Sequence, residues 1–217
     1  MEGEIDHRST RRDFVHGELH RRDLDPDPFR QLAIWLEAAE KAGNFDPTAM
    51  ALATADAQGH PSLRYVLLKH FDAEGLCWYT DSRSRKGQDL AANPWAALVF
   101  YWPEVDRQVR IEGKAEMLPE SAAEDYFHQR PPRSRLAASA SEQSRPIADR
   151  AALEARMAEL AERYPDGSVP RNPAWRGYRL IPDHFEFWQG RRDRLHDRFV
   201  YDRPSAGDDW RVQRLMP

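Results

Sequence analysis

A single cysteine, Cys77, among 217 residues leaves no partner for an internal disulfide and excludes a multi-thiolate metal site. No stretch approaches the roughly 20 apolar residues a membrane-spanning helix needs. The opening residues, MEGEIDHRSTRRDF, hold no apolar signal-peptide core. There is no GxxxxGK[ST] loop, the glycines are too scattered for a dinucleotide fingerprint, and no HExxH or paired His/Cys spacing offers a metal site. An excess of basic charge is also missing. Lys+Arg number 32 and Asp+Glu 36, so the net charge is −4, and a pI of about 6.1 speaks against a nucleic-acid binder. These absences describe a cytoplasmic protein with neither membrane nor nucleic acid as partner. Lysine is scarce too: four (Lys41, Lys69, Lys86, Lys114) of the 32 basic residues, leaving 28 arginines. Coding bias accounts for that ratio, yet Lys and Arg differ as anion binders, so each lysine merits inspection.

What is present is ample material for a core: 41% apolar residues in a chain long enough for one sizeable domain. Residues 1–24 are charged and read as a mobile arm; residues 25–217 read as one domain. Asp27 and Pro28 open a helix with apolar positions Phe29, Leu32, Ala33 and Leu36, closed by Gly43. From residue 48 the period shortens. TAMALATAD, PSLRYVLLKHF and LCWYT read as a three-strand meander, followed by a short helix from RSRK to Asn93-Pro94. WAALVFYW and RQVRIEGKAEML are two further strands, and PESAAEDYFHQ is a helix. RPPRSRLAASASEQSRP is a loop, and ADRAALEARMAELAERY is the longest helix. WRGYRLIP, HFEFWQG, LHDRFVYD and DWRVQRL return to strands. Strands without regular intervening helices pair antiparallel, which gives an α+β fold around a barrel or strongly bent sheet.

Three basic clusters could carry chemistry. In RSRKGQDLAAN, Ser84, Arg85 and Lys86 stand at a helix start, where N–H groups and the dipole favour an anion. Cations normally avoid that end, so they point to a missing anionic partner or to nearby acids such as Asp81 and Asp89. In RYVLLK, Arg64 and Lys69 lie five apart and face opposite sides of a regular strand. One pocket holding both requires a bulge or a second subunit; strand ends reaching solvent are the plainer alternative. FEFWQGRRDRLHDRF is the densest cluster, with Arg194, His196 and Arg198 alternating on one strand face near the flat surface of Trp188. Three donors projecting together suit an anionic or electron-rich ligand, and His196 is the best proton-handling candidate.

DPTAM, RYVLLK, YTDSRSRK, RQVRIEGKAE, YFHQRPPRS, FEFWQGRRDRLHDRF and the terminal RLMP, in this order, resemble the pyridoxine (pyridoxamine) 5′-phosphate oxidase family. The resemblance implies an antiparallel split β-barrel with flanking helices, forming a homodimer with FMN at the interface. It places Arg64, Tyr65, Val66, Leu67, Leu68, Lys69, Tyr79, Thr80, Arg85 and Lys86 against FMN, with Gln108, Gln143, Ser144, Trp188 and Arg198. It places Lys69, Tyr126, Arg130 and Ser134 on the substrate phosphate, and Arg194 and His196 over the pyridine ring as catalytic residues. The implied reaction is oxidation at C4′ of pyridoxine or pyridoxamine 5′-phosphate, with hydride passing to flavin N5 and O₂ reoxidising the flavin to give H₂O₂. Two competing readings are a phenazine-biosynthesis oxidase on the same scaffold and a non-catalytic flavin- or pyridoxal-phosphate-binding protein. The sequence departs from the family at Phe14, where Arg11-Arg12-Asp13 commonly precedes a tyrosine, and at Met216, where an alanine is common.

Overall fold

The computed structural model describes residues 7–10 and 12–217. Residues 1–6 and Arg11, part of the expected arm, lie outside the described residues.

Helix α1 (Pro28–Lys41) forms where its end signals place it. The Asp27 carboxylate accepts the Phe29 N–H at 2.9 Å, Pro28 occupies the first helical position, and Gly43 follows with φ 84°. The buried stripe is Phe29, Leu32, Trp35 and Ala39. Ala33 is exposed, because the stripe turns through Trp35 instead.

Nine strands make one antiparallel sheet: β1 (Ala49–Ala55), β2 (Pro61–Leu67), β3 (His70–Asp72), β4 (Gly75–Asp81), β5 (Trp95–Trp102), β6 (Arg107–Met117), β7 (Trp175–Gln189), β8 (Asp197–Asp202) and β9 (Arg211–Leu215). The order is β2-β1-β5-β6-β7-β4-β3, with β8 and β9 continuing from β7. Helices α2 (Arg85–Ala92), α3 (Glu120–Gln129), α4 (Pro132–Ala140) and α5 (Arg150–Arg163) flank it. This is the α+β split barrel the sequence implied. Its core joins α1 to the inner sheet face, with Trp35 edge-on to Phe187 at 5.1 Å and Phe29 to Phe185 at 5.2 Å. Burial of each such ring contributes on the order of 2–3 kcal/mol. A second, smaller cluster gathers Ala123, Phe127, Leu136, Val169 and Trp175 under α3 and α4.

Several element boundaries differ from the sequence reading. WRGYRLIP and HFEFWQG are one 15-residue strand, β7, because Pro182 is accommodated at a bulge. The register slips between Glu112 and Gly113, and a Cβ on Gly113 would lie 2.1 Å from the Ile181 carbonyl. At this bulge the sheet forks: residues 76–81 of β4 pair with the first half of β7, and β8 pairs with residues 184–189. The RPPRSRLAASASEQSRP segment contains α4, opened by Pro132 at its first position. Helix α5 equals α1 in length, at 14 residues. The described part of the N-terminal arm lies against the barrel, with Leu19 and Leu24 buried.

Candidate active site

The PSLRYVLLKHF run breaks after Leu67, and this break answers the Arg64/Lys69 problem. Leu68 turns inward and is buried; its N–H donates to Thr48 O, and the Lys69 N–H crosses to Cys77 O at 2.9 Å. Both Arg64 and Lys69 therefore face one cavity of about 880 Å³. Tyr65, Val66, Leu67, Tyr79, Thr80, Lys86, Tyr126, Arg130, Ser134 and Gln143 share its wall. Strands β2 and β4 supply one side, the first turns of α2 and α4 and the end of α3 the other.

Positive charge dominates this surface. Lys86 is buried at the start of α2, and its Nζ donates to Thr80 Oγ1 (3.1 Å), Ser84 Oγ (3.2 Å) and Gln143 Oε1 (3.0 Å), none of them a carboxylate. Arg64 donates to Leu52 O, Thr54 Oγ1 and Ser62 Oγ. The nearby acids are engaged elsewhere: Asp81 by Arg83 at 2.7 Å, and Asp89 by Arg85 at 2.7 Å, with Arg64 no closer to it than 3.9 Å. Burial pulls the pKa of Lys86, Arg64 and Arg130 below the ordinary values, and for Lys86 the Arg64 charge adds to the effect. Buried Arg130 Nη1 has no hydrogen-bond partner. A concave surface that holds Arg64, Lys69, Lys86 and Arg130 around an orphaned guanidinium nitrogen fits a ligand bearing phosphate.

Aromatic rings line the same cavity. Tyr79 stacks on Tyr126 at 4.3 Å and on Trp175 at 5.4 Å, and the Arg130 guanidinium sits 4.9 Å over the Trp175 ring. Trp175 belongs to none of the motifs. Its signal is faint in sequence, since it lies ten residues or more from every motif and reaches the wall only by opening β7.

Other expected residues stand apart from this cavity wall. Arg85 pairs with Asp89, and its N–H donates to Ser144 Oγ at 3.2 Å, with Ser144 at φ 67°. Gln108, Trp188 and Arg198 form one register row across β6, β7 and β8. The expectation that Arg194, His196 and Arg198 alternate along a strand is corrected. Strand β8 begins at Asp197, and Arg192–Arg194 forms a 3-10 turn with Asp193 at φ 56° and Arg194 at φ 61°. The cause is Asp197, whose buried carboxylate takes the Leu19 N–H, Arg191 and Arg214, pinning the strand start so the connection must coil before it. Arg194 is exposed.

His196 lies 4.7 Å from Trp188, ring to ring, and its Nδ1 accepts the Arg191 N–H at 3.1 Å. The neutral ring therefore carries its proton on Nε2. Burial first and the Arg194 charge second hold its pKa below the ordinary imidazole value. Phe14 packs edge-on against both Trp188 (5.4 Å) and His196 (5.3 Å). Its segment is tied down by Asp106, which accepts Arg12 at 2.5 Å and the N–H groups of Val15 and His16. A side chain at Gly190 would strike the Phe14 ring.

The model of the pyridoxamine 5′-phosphate oxidase family matches residues 36–164, which include most of the cavity wall. The chain belongs to this family. A second model, the pyridoxine 5′-phosphate oxidase C-terminal dimerisation region, matches residues 175–217, where the Trp188–Arg198 row lies. Among members of the pyridoxamine 5′-phosphate oxidase family, the chain is 48% identical over 207 residues to the pyridoxine/pyridoxamine 5′-phosphate oxidase of Janthinobacterium sp. This match covers 95% of this chain and 97% of the relative. It is 50% identical to the one from Paraburkholderia phymatum over the same shares. Among solved structures it is similar to PhzG from Burkholderia lata in complex with tetrahydrophenazine-1-carboxylic acid, at 38% identity and TM-score 0.85. That match covers 90% of this chain and 95% of that one. An FMN-binding, pyridoxamine 5′-phosphate oxidase-related protein from Nostoc punctiforme shares the fold at TM-score 0.69 and 19% identity, over 89% and 100%.

Proposed function

We infer that this chain is an FMN-dependent oxidase that converts pyridoxine 5′-phosphate or pyridoxamine 5′-phosphate to pyridoxal 5′-phosphate, working in the cytoplasm as a homodimer. The observation that carries this reading is the cavity of Arg64, Lys69, Lys86 and Arg130 with its acids already engaged and Arg130 Nη1 unpartnered. Relatives at 48–50% identity carry that activity in their names. Among the described residues no helix is long and apolar enough to cross a membrane. The exposed Leu63, Tyr65 and Tyr101 on the outer sheet face offer the apolar patch a second copy would cover.

In this reading Arg64 to Lys69, Tyr79, Thr80, Arg85, Lys86, Gln143 and Ser144 of one protomer hold FMN, and the partner protomer completes the site with Gln108, Trp188 and Arg198. Bound there, FMN would supply the redox chemistry: a hydride acceptor at N5 for substrate C4′, and reoxidation by O₂ to H₂O₂. The protein's work is positioning. Lys69, Tyr126, Arg130 and Ser134 take the substrate phosphate, and this remote binding energy orients C4′. Arg194 and His196 would lie over the pyridine ring and align the substrate, with His196 donating from Nε2, as charge shifts while the hydride leaves.

A second reading, a phenazine-type oxidase, draws on the likeness to PhzG. It would leave the Lys69, Tyr126, Arg130 and Ser134 donors without a phosphate to hold. Purified protein should be yellow, and its flavin should bleach anaerobically on addition of pyridoxine 5′-phosphate. A colourless protein, or a flavin that this ester leaves oxidised, would overturn the main reading.

A further inference from the structure

Glu186 is an unusual residue for an outer sheet face. It is 3% exposed, near the C-terminal end of β7, opposite Arg110 of β6 and diagonal to Arg198 of β8. Its Oε1 accepts Arg198 Nε at 2.7 Å, and its Oε2 lies 3.4 Å from Arg110 Nη1. A buried carboxylate is retained only where its partners offset its desolvation. Arg198 has a second anchor, since its Nη1 donates to Met216 O at 2.9 Å. Two fixed hydrogen bonds, one on Nε and one on Nη1, lock the plane of the guanidinium. Among the described residues Nη2 makes no hydrogen bond, so both of its N–H groups are left for a ligand.

We propose that Glu186 is a positioning residue for the cofactor, holding Arg198 in the one orientation that directs its free Nη2 at bound FMN. The proposal rests on the reading that Arg198 contacts FMN. A fork held on both sides gives up little rotamer freedom on binding, so each hydrogen bond it makes counts nearly in full. Arg110 shares the load: it also pairs with Glu112 at 2.8 Å, which leaves Glu186 chiefly to Arg198.

A charge argument gives the opposite sign, and this makes the idea testable. Glu186 is an anion close to where a phosphorylated cofactor would bind. If it acted only through its charge, neutralising it would tighten FMN. If it acts by holding Arg198, neutralising it loosens FMN.

The experiment measures FMN dissociation constants of the full-length apoprotein by quenching of flavin fluorescence, for Glu186→Gln, Glu186→Asp, Arg198→Ala and the Glu186→Gln/Arg198→Ala pair. Thermal unfolding of each apoprotein and dimer elution serve as fold controls. Arg198→Ala and Glu186→Gln should each raise Kd about tenfold or more. The double variant should be no weaker than Arg198→Ala alone, within about twofold. Glu186→Asp keeps the charge but retracts it by one methylene, and it should fall between wild type and Glu186→Gln. Unchanged or tighter FMN binding by Glu186→Gln, with Arg198→Ala clearly weakened, overturns the proposal. So does simple additivity in the double variant. Unchanged FMN binding by Arg198→Ala instead overturns the underlying assignment of Arg198. If Glu186→Gln does not fold, Glu186→Asp decides alone, and a wild-type Kd for it refutes the positioning role.

Discussion

Replacing Lys86 with Met should stabilise the apoprotein and cripple its cofactor binding at the same time. Lys86 is buried, its three hydrogen bonds go to neutral oxygens, and both burial and Arg64 press its pKa down. Met keeps the length and apolar stem while removing the charge, and Thr80 Oγ1 still donates to Gln143 Oε1 at 3.0 Å. Relief of such a buried cation is worth about 0.5–2 kcal/mol to the empty protein. The pH dependence has a defined sign. In the wild type the folded lysine releases its proton before the unfolded one does. The penalty is fully present below the folded pKa and is relieved as pH rises from there to the unfolded value near 10.5. The variant should lack that rise. Its lost charge-assisted bond to phosphate costs about 2 kcal/mol, roughly 30-fold in Kd. At FMN equal to 100 times the wild-type Kd, the wild type gains about 2.7 kcal/mol and the variant about 0.9. For a chain of this length that is a Tm increase of about 5–11 °C against about 2–4 °C. Differential scanning calorimetry with and without FMN measures both. Equal FMN-induced shifts, or an apoprotein less stable than wild type, would refute the account of Lys86 as a cation held in waiting for an anion.

Other perturbations follow from the same geometry. Arg130→Ala should raise KM for the phosphorylated substrate at least tenfold with kcat little changed, and Trp175→Leu should do so more weakly because it removes only the surface under Arg130; steady-state oxygen uptake separates the two parameters. The acid limb of kcat/KM should lie below the ordinary imidazole value of 6.5, and Arg194→Gln should move it upward because one cause of the lowering is gone; a pH–rate profile reads the shift. Asp106→Asn should lower Tm by roughly 4–8 °C, since two N–H donors and Arg12 lose a carboxylate worth about 2 kcal/mol. Asn tolerates the left-handed φ of 53° at that position, so backbone strain does not confound the result. Co-expressed Lys86→Met and Arg198→Ala chains should regain about a quarter of wild-type flavin sites when mixed equally, because heterodimers carry one unmutated site in two; no recovery would mean each site is built from one chain.

The fold was legible where local signals act alone. Asp27-Pro28 opens a helix through its own carboxylate and ring, and Ser84 caps α2 by accepting the Gly87 N–H. The Gln108 to Lys114 alternation gave the exposed face of β6 correctly. Legibility failed where a distant partner decides. Pro182 reads as a strand end, yet it continues β7 because Gly113 across the sheet has no side chain to obstruct the bulge. Leu68 reads as mid-strand, yet the core takes its side chain and turns the chain at Lys69. The coil at Arg194 is dictated by Asp197, whose partners Leu19 and Arg214 lie far off in sequence. The cavity cations stand in recognisable motifs, whereas neither Trp175 nor Glu186 sits at a spacing that announces a role. Each shows its role only through its neighbours in space, Trp175 through Arg130 and Tyr79 and Glu186 through Arg198.

The division of the candidate residues into two groups is a consequence of the fork in the sheet. Strand β7 carries Trp175 at one end, on the cavity wall, and Trp188 at the other, beside His196 and in register with Arg198. Thirteen residues of strand at about 3.3 Å each put up to roughly 40 Å of backbone between them. The first half of β7 is tied to β4, which faces the cavity, and the second half to β8, which leads to the C-terminus. No side-chain rearrangement within one chain closes that distance, since β6 pairs with residues 178–189 and β4 with residues 175–180, which together hold β7 extended. The residues matched by the C-terminal dimerisation region begin at Trp175, so the far end of β7 belongs to the part of the chain that meets a second copy. Two-fold pairing would lay the Trp188 and Arg198 end of each chain over the cationic cavity of the other, which makes the two sites equivalent and each dependent on both chains. A chain with net charge −4 can still present a strongly positive pocket, because Arg64, Lys69, Lys86 and Arg130 are gathered on one cavity wall.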